Sequence, residues 1–284
     1  MRDVVKTKSI YKTRMDYSLC EHIMVSVADQ YMNEMHDEFK YFATWLPGTP
    51  LEIGDIGELK GNEFTQISSL KQKGIDFTVR SDHTKDSMQH SSSTGVSIST
   101  KFKGSAGIPQ FNLDVVDAGM VVKFSKNTGV AFELQGYEIR KIEDTTLVDN
   151  AILKEYQDKK WKDNWAVISE LVIADSGTVL ISQGSDAAIG LKALADVPNL
   201  SLANINANFN VSHSNNLFTT ILCKAGLTPL FKIRGIHRRF FGAGTPHVES
   251  RAYTGSPFEK SLKGESSDAQ TPTLTVDEIQ FKKQ

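Results

Sequence analysis

The stretch ANINANFNVSH, residues 203–213, alternates with a period of two: Ala203, Ile205, Ala207, Phe209 and Val211 fall on one side of an extended chain, and Asn204, Asn206, Asn208, Asn210 and Ser212 on the other. Such alternation marks a β-strand with one apolar and one wetted face. Two kinds of strand read this way. About 9–11 residues suffice for a strand to cross a bilayer within a closed barrel, with lipid on one side and water on the other. A sandwich strand with one solvated face, the commoner object, has the same pattern.

Working outward, the two-faced pattern returns. In GVSISTKFKG, residues 95–104, Val96, Ile98, Thr100 and Phe102 oppose Ser97, Ser99, Lys101 and Lys103. Phe111, Leu113 and Val115 alternate and are resumed out of phase by Met120, Val122 and Phe124, which predicts a bulge between Val116 and Gly119. A second phase change at Gln135–Gly136 predicts another. Residues 165–174, WAVISELVIA, are apolar on both phases apart from Ser169 and Glu170, as in a buried central strand, and TVLIS follows after a turn. Residues 183–200 read as a weaker connection. Asn215–Asn216 and Lys224–Gly226 supply turns that lead from the opening strand into LFTTILC and then LTPLFKIR.

The first part of the chain reads differently. Leu19, Ile23, Val27 and Tyr31 recur at near-helical spacing within 17–45, and WLPGTP at 45–50 stops the helix because Pro47 and Pro50 exclude its continuation. Short strands follow in LEIGDIGEL, FTQISSL and IDFTV, punctuated by Gly54, Gly57, Gly61 and Gly74. The polar run SDHTKDSMQHSSST, 81–94, predicts a mobile loop that leaves His83 and His90 in solvent. Residues 144–160 predict a surface helix with Thr146 and Asp149 as a capping box, an apolar face of Val148, Ala151, Ile152 and Tyr156, and Lys159 and Lys160 at its C-terminus.

These elements predict an α+β fold: a twisted, mostly antiparallel β-sheet with surface helices packed on it. One domain is expected over 1–253, helical to about residue 46. The segment TGSPFEKSLKGESSDAQT, 254–271, reads as a linker. TLTVDEIQF, within a C-terminal tail at 272–284, reads as a strand able to dock on the sheet.

Composition removes several function classes. Charged residues are 23% of 284 and the formal net charge is −2, so the chain as a whole is no polycation for nucleic acid. No apolar run of about 18 residues predicts a membrane helix, and the basic N-terminus lacks the apolar stretch of a secretory signal. A cytoplasmic protein, soluble when inactive, is expected. Cys20 and Cys223 are too few for a disulfide framework or a zinc site. FGAGTPH, 241–247, lacks the lysine and hydroxyl of a phosphate loop, and Cys20 and His22 fall on different faces of a helix. No catalytic residue, cofactor or metal is expected, and the chain does not read as an enzyme. One local feature is electrostatic: KIRGIHRRFF, 232–241, sets Lys232, Arg234, Arg238 and Arg239 beside Phe240 and Phe241. Near an anionic leaflet each cation contributes about 1 kcal/mol, which makes these four candidate ligands for lipid headgroups. Pairing with the domain's own carboxylates is the other use for them.

In order and pattern, residues 92–240 resemble the pore-forming domain of gasdermins. GVSISTKFKGSA sits where that family's first inserting hairpin stands, WAVISELVIADSGTVLIS resembles the strand that opens the second, and LFTTILCKAGLTPLFKIRGI its return. The resemblance implies two long hairpins per subunit that refold into a large transmembrane β-barrel, and a C-terminal segment that restrains them until a protease cuts. It implies Val96, Ile98, Phe102, Ile205, Phe209 and Val211 as membrane-inserting residues. The implied partners are anionic membrane lipids, further copies of the chain on activation and an activating protease, in the service of cell death or defence, with no nucleic acid. The alternative is a β-rich structural or assembly protein of a phage or injection-type particle, whose strands alternate for a different reason.

Overall fold

The structure, a computed structural model, describes residues 17–194, 200, 202, 205, 209–239 and 273–281. It is strand-rich and every strand pairing in it is antiparallel. Helix α1 (Tyr17–Phe39) precedes β1 (Phe42–Ala43), the hairpin β2 (Asp55–Lys60) and β3 (Glu63–Ser69), and the short β4 (Val79–Ser81). Then come β5 (Asp86–Ser91), β6 (Val96–Lys101), β7 (Gly119–Phe124) and β8 (Val130–Ile142). Helix α2 (Thr145–Gln157) leads to β9 (Trp165–Ala174), β10 (Ser176–Ser182) and β11 (Ala188–Ala193). The last strands are β12 (Phe209–Asn215), β13 (Leu217–Lys224), β14 (Leu227–Arg239) and β15 (Thr273–Glu278).

Eleven strands form the large sheet, along the path β1-β14-β9-β8-β10-β13, with β2 and β3 extending from β9, β4 and β5 lying on β8, and β15 lying on β14. The other four form a small sheet in the order β12-β11-β7-β6. Three layers of packing follow. Tyr31, Met32 and Met35 of α1 bury against Phe132, Leu134, Val179 and Phe231 on one face of the large sheet. Met120, Val122, Phe124, Ile189 and Leu191 of the small sheet bury against Ala131 and Leu180. Val148 and Ile152 of α2 bury with Ile56, Leu70, Trp161 and Val167. No described helix is long and apolar enough to cross a membrane.

Several sequence-based boundaries move for identifiable reasons. α1 ends at Phe39, before the prolines, because Lys40 takes a left-handed conformation (φ 62°) and donates its N–H to the His36 carbonyl at 2.9 Å, a local C-terminal cap. α2 is capped by Asp144 and not by Thr146: the Asp144 carboxylate accepts the Leu147 N–H at 3.1 Å. The phase slip before Gly119 is no bulge. Pro109–Phe111 form a 3-10 turn, and Leu113 folds back to bridge Ile108. The slip at Gly136 is a bulge: Ser87 and Asp86 pair with Gln135 and Tyr137, and Gly136 (φ 59°) is passed over.

Two elements escape the sequence reading altogether. The polar run at 81–94 contains β5, whose Met88 and His90 turn toward α1 while its backbone pairs with β8. The weak stretch 183–200 contains β11, central in the small sheet between β7 and β12. Of the opening alternating stretch, the strand begins at Phe209. Ile205 precedes it outside any strand, donating its N–H to the Leu202 carbonyl at 3.4 Å; Ala203, Asn204 and 206–208 lie outside the described residues, as do 241–247 and 254–271.

Because Phe132 is fully buried and packs on Phe39 of α1 (ring centroids 5.7 Å apart), Phe132→Ala is expected to cost about 3–5 kcal/mol in urea unfolding. A loss well under 1 kcal/mol would mean that α1 does not pack here.

Candidate functional site

The small sheet is the large sheet's own continuation, folded back. β5 runs through 92–95 into β6, β8 is reached from β7 through 125–129, β10 runs through 183–187 into β11, and β12 turns at Asn216 (φ 48°) into β13. The order β6-β7-β11-β12 in the small sheet repeats β5-β8-β10-β13 in the large one. The two layers are therefore halves of four long antiparallel strands, 86–101, 119–142, 176–193 and 209–224, creased along one line. In chain order the first two make one hairpin and the last two another, with both hairpin ends at the far side of the small sheet.

Backbone bonds cross the crease without a gap. Ser125 N–H donates to the Gly95 carbonyl at 2.7 Å, Ser182 N–H to Gly129 at 2.9 Å and Gln183 N–H to Asn216 at 2.9 Å. Side chains sew it further: the buried Ser182 hydroxyl accepts from Gly129 N–H at 2.7 Å and donates to the Lys126 carbonyl at 3.1 Å. From α1, Glu34 accepts from Ser92 Oγ at 2.7 Å and from Gln30 at 2.6 Å, and its Oε2 lies 3.0 Å from His90 Nε2. Burial alone would raise the Glu34 carboxyl. The hydrogen bonds from His90, Ser92 and Gln30 outweigh that and hold it below the ordinary glutamate range.

The crease sorts the small sheet's two faces. Inward, toward the large sheet, point Val96, Ile98, Met120, Val122, Phe124, Ile189, Leu191, Phe209 and Val211, paired row by row. The sequence reading of β6 as a strand with one apolar face fits, yet exposure is inverted: Ile98 is 45% exposed and Lys101 only 3%. β6 and β12 are edge strands that overhang the layer beneath, so their apolar side chains meet water. Of the six residues singled out for insertion, Val96 and Phe209 are half-buried, Ile205 is buried between the layers, and Ile98, Phe102 and Val211 are exposed. The hairpin ends carry further exposed apolar side chains in Val115, Val116 and Leu194.

The basic stretch is engaged within the fold. Arg234 grips Asp149 of α2 with both nitrogens, Nε to Oδ1 at 3.1 Å and Nη2 to Oδ2 at 2.6 Å. Lys232 lies 3.6 Å from Glu170, which also accepts the Tyr41 hydroxyl. Both cations therefore serve internal carboxylates in this form, the second of the two uses open to them. Arg238 and Arg239 lie in β14, opposite Leu274 and Thr273 of β15, and their side chains fall outside what is described.

That strand closes the edge of β14. β1 covers Leu230 and Phe231, and β15 covers 234–239. Arg234 Nη2 also donates to the Val276 carbonyl at 3.2 Å. Val276 buries against the α2 core, and beyond β15 Phe281 stacks on His36 of α1 at 4.1 Å. Gly235 makes room for this: a Cβ there would stand 2.7 Å from Ile279 Cδ1. Among the described residues no group of three or more His, Cys, Asp or Glu side chains could hold a metal ion. No protein-family model matches the chain, and no curated protein matches it.

Sequence reasoning missed β5 and β11, and with them the crease. Their signals were present but short: Met88 and His90 alternate with polar residues, and Ala188–Leu191 is a brief apolar run.

The Glu34 contacts give a pH signature. A carboxylate held below its ordinary value of 4.5 contributes stability that is complete above that value and is lost as pH falls through the depressed one. Glu34→Gln is expected to lower stability at neutral pH by on the order of 1 kcal/mol and to flatten the decline below pH about 4.5. Unfolding curves across pH 2–7 (roughly the carboxylate range) check this; parallel profiles for the two proteins would contradict it.

Proposed function

We propose that this chain is a pore-forming protein in its pre-insertion form, in which two β-hairpins are creased back on themselves and the C-terminal strand holds the body closed. The observation that carries the reading is the matching strand order on the two sides of the crease. Each segment of the small sheet has only six or seven residues, about 20 Å at roughly 3.3 Å per residue, too short for the ~30 Å core of a bilayer. Straightened through the crease, the shortest of the four strands runs 16 residues, beyond the about 9–11 that a tilted barrel strand needs.

The energetics favour the same reading. The side chains now buried between the layers are the apolar face of those strands, so opening the crease in water would expose them, whereas opening it against acyl chains would not. The exposed Phe102, Val115, Val116 and Leu194 at the hairpin ends are placed to meet the bilayer first. An isolated set of hairpins would leave its outer edges unpaired in lipid, so insertion calls for several copies closing a ring. Release would follow removal of β15, which uncovers the edge of β14 and the seat of Phe281. Function in cell death or defence, with anionic lipids as the target and a protease as the trigger, completes the proposal.

The test uses the full chain with a protease recognition sequence inserted within 254–271. Cleavage in the presence of anionic liposomes is expected to release an entrapped dye. Ile98→Lys should remain folded, because Ile98 already meets water, yet lose leakage, because a lysine on the lipid face of a barrel costs about 2–4 kcal/mol near mid-membrane. Ser99→Lys, on the opposite face, should leak. Wild-type protein that stays silent after cleavage, or that assembles into impermeant rods or shells, would favour the particle-assembly reading.

A further inference from the structure

The outward face of the small sheet has a composition of its own. Its rows run Lys101–Gly119–Lys192–Asn210, then Ser99–Val121–Gly190–His213, then Ser97–Lys123–Ala188–Asn215. Three of those positions are lysine and none is a carboxylate. The segment 102–118, which joins the two strands of the first hairpin, lies over this face. Its Phe111 and Leu113 bury with Val121 and Ala188, and Asn112 Nδ2 donates to the Ser212 carbonyl at 2.9 Å.

Each of the three lysines meets that same segment. Lys101 Nζ donates to the Asp117 carbonyl at 2.8 Å, Lys192 Nζ lies 2.8 Å from Asp117 Oδ1, and Lys123 Nζ stands 5.0–5.5 Å over the Phe111 ring, at 5.3 Å from its centroid. The lysine attraction and the Asp114 N–H together keep the Asp117 carboxyl below its ordinary range, the Lys192 hydrogen bond being the largest cause.

We propose that segment 102–118 masks a lysine-lined wall formed by Lys101, Lys123 and Lys192, and that in the inserted state this wall faces the aqueous lumen and passes anions in preference to cations. The inference rests on the pore reading. It follows from the two-sidedness of a strand: if the apolar face built by Ile98, Val122, Ile189 and Val211 turns to lipid, the lysine face turns to water. Straightening the first hairpin extends 102–118 beyond the strands and withdraws the Phe111 and Leu113 cover.

The carboxylates near the wall do not cancel it. Asp117 and Asp114 lie beyond the strand ends, where they oppose Lys101 and Lys192 at the rim. Asp186 lies on the crease, held by Asn216 Nδ2 at 2.8 Å, and the same crease carries Lys126. Lys123 stands between these two zones and dominates the wall's interior. Repetition around a ring multiplies it, and a ring of like charges concentrates the oppositely charged ion.

The experiment measures reversal potential in planar anionic bilayers under a steep KCl gradient, using the cleaved full chain. The expected sign is that of chloride preference. Lys123→Glu, whose side chain is exposed in the present form and bonds to nothing but a ring face, should move the potential toward potassium, with Lys123→Gln between the two. In vesicles, an anionic tracer should escape several-fold faster than a cationic one of equal size, and high salt should erase that ratio through screening, a readout that needs no variant. A potassium preference in the wild type, or a potential that Lys123→Glu leaves unmoved, overturns the lysine wall while leaving the pore intact. Absence of any current or release after cleavage removes the pore reading and the wall with it.

Discussion

The burial of one apolar face of four long strands against itself is the constraint on which the rest of this structure depends. A two-faced sheet in water must cover its apolar side, and the usual cover is a helix or a second sheet from elsewhere in the chain. Here the cover is the far half of the same strands. The crease is possible because each strand meets it with a short turn and because hydrogen bonds run from turn to turn, Gly95 to Ser125, Gly129 to Ser182, Asn216 to Gln183. The large sheet keeps its other face for α1 and α2, so the folded-over half leans on the body only through its inner side chains.

This arrangement puts two kinds of holding contact in different places. Within the crease the contacts are backbone bonds and small hydroxyls, Ser92 and Ser182, which can exchange for the bonds of a straight ladder with little loss. At the body's rim the contacts are large: Arg234 with Asp149, Phe281 with His36 and Phe42, Val276 under α2. A conformational change that leaves the body intact therefore meets its main resistance at the rim. Glu34 is the one described carboxylate that reaches from α1 to the crease itself, through Ser92 and His90.

Much of the fold was legible in the sequence because hydrophobic period and turn chemistry are local. β9 and β10 with their burial, the turns at Asn216 and Gly226, the bulge at Gly136 and the span of α2 all follow from residues within a few positions. What was not legible depends on distant partners. β5 is too polar to announce itself, and becomes a strand because β8 offers it an edge. β11 is short, and becomes central because β7 and β12 flank it. The face of Ile98 is apolar in sequence and wet in the structure because β6 overhangs, a property of where its neighbours end. Arg234 reads as one of four clustered cations, and only the fold brings Asp149, 85 positions away, against its guanidinium. The lysine wall is spread over three strands, one lysine each, and no window of sequence contains it.

β14 has a further consequence for how the molecule is made. Its inner edge pairs with β9 and part of its outer edge with β1, both already synthesised when β14 emerges, while β15 follows only after the intervening 240–272. On the ribosome, every newly made copy thus passes through an interval in which the body is complete and the outer edge from Arg234 onward is bare. Closure by β15 is a finishing step of synthesis rather than a condition for it. The length of that interval is set by translation speed, so a slow codon run between Arg239 and Thr273 would act on the open form as directly as a change in any of its side chains.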